Sequence, residues 1–188
     1  MMEESFKVQF KPGDCVFIQD MTDLFAWNVP SEYIDEVLKH VGGFPETKFL
    51  LLTKNPYRYI DHLPNIPENC ILGATIETNG WGSNRRSFYQ EISEAPHPLE
   101  RLDALIKVRE IGRPHEVMVS IEPILDFDLD FFLVKLRKIR PDFVVVGYDN
   151  YNNRLPEPSL KKTLGLIAEL EKFTTVYRKT LRKAWWEC

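Results

Sequence analysis

Cysteine is scarce in this sequence. Only three occur in 188 residues, Cys15, Cys70 and Cys188. They are far apart and odd in number, which excludes a disulfide framework and the paired spacing of a zinc site. No local run of thiols is present that would hold an iron–sulfur cluster. Cys15 and Cys70 each open an apolar run, so buried thiols are expected there. Such cysteine usage fits the cell interior, and a cytoplasmic protein is expected. Long apolar runs are also missing: none approaches the ~20 residues that span a bilayer. The start, "MMEESFKVQF", is acidic and does not read as a signal peptide. An excess of positive charge is absent too. The formal net charge is −4, which argues against broad electrostatic binding to nucleic acid. The basic stretches "SNRRSF" and "YRKTLRKAWW" are expected to be solvated faces, with Trp185 and Trp186 packing the tail. His40, His62, His97 and His115 show no metal-ligand spacing. "DFDLDFF" lacks the spacing of a calcium loop and reads as charge at a helix N-terminus.

What is present is an alternation. Short runs rich in Val, Ile, Leu and Phe recur: "CVFIQD", "KFLLLT", "CILGATIET", "EVMVSIEP", "DFVVVGYD" and "TTVYRK". Between them lie helical patterns. "SEYIDEVLKHV" starts after Pro30 and stops at Gly42-Gly43, "PLERLDALIKVREIG" stops at Gly112, and "DLDFFLVKLRKIR" stops before Pro141. "NPYRYIDHL" is a short helix or turn, and "EPSLKKTLGLIAELEKF" is the clearest amphipathic helix. Strands alternating with helices predict a parallel sheet with crossover helices. Ile71, Gly73, Thr75 and Glu77 fall on one side of their strand, as do Met118, Ser120 and Glu122 of theirs, while the opposite sides are aliphatic. A small and polar face behind an aliphatic one fits the inside of a barrel better than a flat sheet clad on both faces. A complete eight-unit barrel takes ~250 residues. The expectation is therefore an α/β fold, an incomplete parallel (β/α) barrel of five to six units, with residues 1–188 as one domain and a long loop over 79–97.

Two strands end in acids, Glu77 and Glu122. Strand C-terminal ends are where such barrels place their ligands. Glu77 as a rim acid paired with Lys54 or Lys179 stands beside Glu77 as a ligand residue, and Pro123 after Glu122 also serves to end a strand. Asp20 and Asp23 either cap the helix near Ser31 or join the site. Asp20, Glu77, Glu122 and Asp149 are expected to converge on one cleft. One alternative makes Glu77 and Glu122 the acid/base and nucleophile of a retaining glycoside hydrolase, whose carboxyls stand ~5–5.5 Å apart. Another is a non-catalytic binding or assembly module, with a homodimer or partner subunit at an open barrel edge. At that edge "FKVQF", residues 6–10, alternates like a half-buried strand and is expected to cover it as a hairpin, unless a second copy does.

Several phrases together, "VFIQDMTDLFAWNVPSEYIDEVL", "FLLLTKNPYRY", "LPNIPENCILGATIETN", "PLERLDALIKV" and "VSIEPILDFDLD", resemble the phage- and archaea-associated branch of the radical-SAM superfamily, related to spore-photoproduct-lyase-like proteins. The resemblance runs from about Cys15 to about Arg182. It implies a partial barrel that binds S-adenosylmethionine at its C-terminal rim, next to a [4Fe–4S] cluster held by a CxxxCxxC loop. This sequence has no such loop, so the cluster is not expected from this chain alone. By position, the resemblance places Gln19 or Asp20 at the methionine amino group, and Thr75 and Glu77 at the ribose. Ser120, Glu122, Gly147 and Asp149 complete the rim, where the bulk of Tyr148 is expected to narrow an adenine slot.

Overall fold

The computed structural model describes residues 6–18, 22–80, 93–112 and 114–188. The elements alternate throughout. β1 (Cys15–Ile18) leads to α1 (Ser31–Gly42), β2 (Lys48–Thr53) to α2 (Tyr57–His62), and β3 (Cys70–Thr75) to α3 (Pro98–Ile111). β4 (Glu116–Ile121) leads to α4 (Leu129–Ile139), and β5 (Phe143–Val146) to α5 (Leu160–Leu170), before β6 (Thr175–Arg178). All six strands are parallel and lie in sequence order, β1 to β6, as a curled half-barrel. This is the expected incomplete α/β barrel.

The two faces of the sheet differ as the alternation predicts. Phe49 and Leu51, Leu72 and Ala74, Val117 and Val119, and Val144 and Val146 share one buried cluster with the helices' apolar faces. Each of the larger side chains removed from water contributes about 1.5–3 kcal/mol, so this layer holds the helices to the sheet. The concave face carries a separate, smaller cluster of Ile71, Met118 and Val145, flanked by Leu50, Leu52 and Phe143. Phe17 of β1 and Tyr177 of β6 are exposed at the two edges.

Helix ends follow the local chemistry. Asp128 caps α4 by accepting from the Phe131 N–H at 2.8 Å, and Ser159 caps α5. Gly112 and Arg140 close α3 and α4 in left-handed conformation. Pro30 precedes α1 without a side-chain cap, and Ser31 Oγ instead accepts from Arg58.

The start of the chain corrects one expectation. Residues 6–10 form no strand: a short 3₁₀ turn at Phe6-Lys7 runs into irregular chain. Phe10 packs edge-on against Phe44 and Phe49, at 5.1 Å from each ring, and Phe6 against His40. Burying two aromatic rings on the helix side wins over hairpin pairing, which would have left half of this segment's side chains on the open edge. Among the described residues, no strand covers the outer edge of β1.

Candidate functional site

The C-terminal ends of β3, β4 and β5 are knit together beyond the strands themselves. Ile76 N–H donates to Ser120 O at 2.8 Å, Leu125 N–H to Glu77 O at 2.9 Å, and Ile124 N–H to Gly147 O at 2.8 Å. Side chains extend the lock: Thr78 Oγ1 donates to Asp126 O, and Asn79 exchanges hydrogen bonds with the Asp128 backbone. The rim is therefore rigid under the residues that the sequence singles out.

Glu77 lies at its centre and is 3% exposed. Its Oε2 accepts from Arg101 Nη1 at 3.0 Å, and Lys54 Nζ stands 2.9 Å from Oε1. The expected pairing with Lys54 is present, whereas Lys179 pairs elsewhere. Arg101 is the residue that sequence reasoning missed. It is completely buried, donates to Thr75 O at 2.8 Å through Nη1 and to Pro96 O at 2.7 Å through Nε, and so ties the start of α3 to the end of β3. Within "PLERLDALIKV" an arginine reads as solvated. The available signal was its phase: Pro98, Arg101, Leu102, Leu105 and Val108 make one buried helical stripe.

Thr75 and Ser120 are register partners on adjacent strands, 7% and 6% exposed. Their alternation with Ile71 and Met118 sets them on the concave face. Among the described residues, neither hydroxyl has a hydrogen-bond partner. Next to them stands Glu122, whose peptide to Pro123 is cis. Its Oε2 lies 3.9 Å from Lys179 Nζ at the end of β6. Gly147 gives that carboxylate room: a Cβ there would meet Glu122 Oε1 and Lys179 Cβ, both at 3.0 Å. The rim thus reads, from β2 to β6, Lys54, Glu77, the Thr75–Ser120 hydroxyls, Glu122, Gly147 and Lys179.

The other expected residues behave differently. Gln19 and Asp20 lie outside the described residues. Asp23 does not cap α1. It accepts from Thr53 Oγ1, Lys54 N–H and Phe25 N–H, fastening the β1–α1 loop to the end of β2. Asp149 ends β5 at the rim, but its carboxylate turns into its own loop, accepting from the Asn153 and Tyr151 N–H groups and from Asn153 Nδ2. Tyr148 does not narrow the rim. Strand alternation sends it to the helix side, where it is buried and its hydroxyl lies 2.7 Å from Thr163 Oγ1 of α5. Trp185 and Trp186 hold the tail, as expected, through indole N–H bonds to Leu155 O and Glu157 O.

The Asp149 loop yields a pH prediction. Burial works to raise this carboxyl, but the Asn153 and Tyr151 donors and Arg182 overcome it and hold the group below the usual carboxylate range. A depressed folded-state value means stability that is complete above the unfolded value of ~3.9 and is lost as pH falls through the folded one. Asp149→Asn should therefore flatten the acid limb of the stability curve below about pH 4, read by urea denaturation in a pH series. An unchanged acid limb would contradict this account.

Of the two thiols expected to be buried, Cys70 is and Cys15 is exposed. Cys15 and Cys70 sit at the N-terminal ends of β1 and β3, away from the rim, with Cys15 level with Lys48 and Cys70 in the helix-side core. Burial pushes the Cys70 thiol up to about 12. Among the described residues, no three His, Cys, Asp or Glu side chains group to hold a metal ion. No helix of the described residues is long and apolar enough to cross a membrane.

No curated protein and no solved structure matches the chain. A family model described as "Protein of unknown function (DUF5131)" matches residues 3–156, most of the length, and the chain belongs to that family.

Proposed function

We propose that the protein is a reduced radical-SAM-like protein whose C-terminal rim binds S-adenosylmethionine, without cluster ligands of its own. The observation that carries this reading is the pair of Thr75 and Ser120, side by side in register on the concave face, each residue less than a tenth exposed and neither hydroxyl bonded within the described residues. Two adjacent hydroxyls over an apolar floor suit a polar, hydroxyl-bearing ligand with a flat apolar part. That describes a nucleoside. In this reading Thr75 and Ser120 hold the ribose, and Gly147 leaves room for the carboxylate of Glu122 beside it. Gln19 or Asp20 takes the amino group. Glu77, bound by Arg101 and Lys54, orients the rim and does not itself reach for the sugar.

Equilibrium dialysis with labelled S-adenosylmethionine tests this. The native chain should bind, and Thr75→Val with Ser120→Ala should weaken binding on the order of tenfold, the worth of two modest hydrogen bonds. Absence of binding at millimolar ligand would overturn it. The retaining glycoside hydrolase stands second, because Glu77, its acid/base, is already engaged by Arg101 and Lys54. A non-catalytic binding or assembly module stands third. The uncovered β1 edge is where a second copy or a partner subunit would pair. Sedimentation that finds only monomer at high concentration would remove that element.

A further inference from the structure

We infer that the basic groove between α3 and α4, at the end of the sheet opposite the rim, docks an acidic segment of a partner protein that carries apolar side chains among its carboxylates. The inference is independent of any reading of the rim. The groove, of about 980 Å³, runs between the C-terminal halves of the two helices and reaches Asp142 just before β5. Five cations and three acids line it, in a chain whose formal net charge is −4. Internal pairs use part of this charge. Lys135 Nζ lies 2.6 Å from Asp103 Oδ1, and Arg109 Nη2 lies 2.5 Å from Asp142 Oδ2. Arg109 also donates to Ile139 O at 3.1 Å and to Arg140 O at 2.6 Å, covering carbonyls that make a helix C-terminus repel anions. Lys138 and Arg140 remain exposed, and among the described residues neither has an acidic partner.

The backbone singles out Arg140. It closes α4 at φ +49° and ψ +60°, a left-handed position that α3 gives to Gly112. An arginine there carries strain that a glycine would not. In return a free guanidinium stands in the groove, shaped to take a carboxylate through two parallel hydrogen bonds. The surroundings favour a peptide over a nucleic acid. Glu110 also lines the groove without a partner among the described residues. An evenly charged phosphate backbone would meet it, whereas the carboxylates of a peptide can be spaced around it. Apolar surface lies alongside: Lys135 Nζ stands 5.8 Å from the centre of the exposed Phe131 ring, and Arg137 joins the groove to a smaller hollow lined by Leu133 and the exposed Val134. An acidic segment with apolar anchors uses both kinds of surface.

Fluorescence anisotropy of a labelled glutamate-rich peptide with leucines at helical spacing, titrated with the full chain, tests this. The native chain should bind it, and the same peptide with glutamine for glutamate should not bind measurably. Arg140→Gly with Lys138→Gln should weaken binding on the order of tenfold, the worth of two exposed ion pairs, and added salt should shrink the difference. Arg140→Gly alone should raise the melting temperature by about 2–4 °C as the left-handed strain is relieved, so its loss of binding is not a folding defect. Lys161→Gln, on α5 outside the groove, should leave binding within about twofold. Unchanged binding in the double variant, or no binding by the native chain, would overturn the inference. So would an oligonucleotide or phosphatidylserine vesicles held more tightly than the peptide through the same two cations, or a dimer of the native chain that the double variant dissolves.

Discussion

Replacing Arg101 with methionine should cost about 3–5 kcal/mol of folding stability, the range for removing one member of a buried ion pair. The side chain has no exposed surface, and its guanidinium donates to Glu77 Oε2, Thr75 O and Pro96 O. Methionine fills much of the volume but offers no donor. Two backbone carbonyls and one carboxylate would then lose this donor, and among the described residues Glu77 keeps a charged neighbour in Lys54. That remaining pair places the expected loss toward the lower end of the range. Urea denaturation measures it. The double variant Arg101→Met, Glu77→Leu should recover a good part of the loss, because an apolar pair leaves no buried charge behind. A single variant that loses less than about 1 kcal/mol would show that the pair contributes no more than an exposed one.

The strand runs and their faces were legible because a period of two is a strong signal when one face is aliphatic. Leu72, Ala74, Val117 and Val119 went to the helices, and Ile71, Met118, Thr75 and Ser120 to the concave side, as the pattern requires. The acids at the strand ends were legible for the same reason. Their partners were less so. Lys54 stood near enough in the chain of strands to be named, but Arg101 lies on a helix, and a charged residue in a helical pattern is usually solvated. Beyond the last strand residue, alternation no longer decides direction. Asp149 belongs by parity with Gly147, yet three donors from its own loop capture its carboxylate. "FKVQF" failed differently. Its alternation is genuine, but two phenylalanines can also be buried from an irregular chain, and Phe44 and Phe49 supply that site. Short alternating segments near a chain end carry too few residues to separate the two outcomes.

Gly80→Ala should destabilise the protein by about 2–3 kcal/mol, combining a left-handed backbone penalty of about 1–2 with the loss of a helix cap of about 1. Gly80 has φ +68°, and a Cβ built there would lie 2.4 Å from His97 Cε1 and 3.0 Å from Nε2. The imidazole cannot simply yield. His97 is the N-cap of α3: Nδ1 accepts from Leu99 N–H at 3.3 Å, while the His97 N–H donates to Glu100 Oε2 at 3.2 Å. Pushing the ring aside opens this reciprocal cap at the helix that carries Arg101. The two contributions can be separated. His97→Ala alone should cost about 1 kcal/mol, as a lost cap. In that background the clash is gone, and adding Gly80→Ala should cost only the backbone share, so the two substitutions couple instead of adding. Thermal or urea unfolding of the four proteins measures the coupling. If the losses add within about 0.5 kcal/mol, the 2.4 Å contact does not link the β3 rim to the start of α3, and the cap is independent of Gly80.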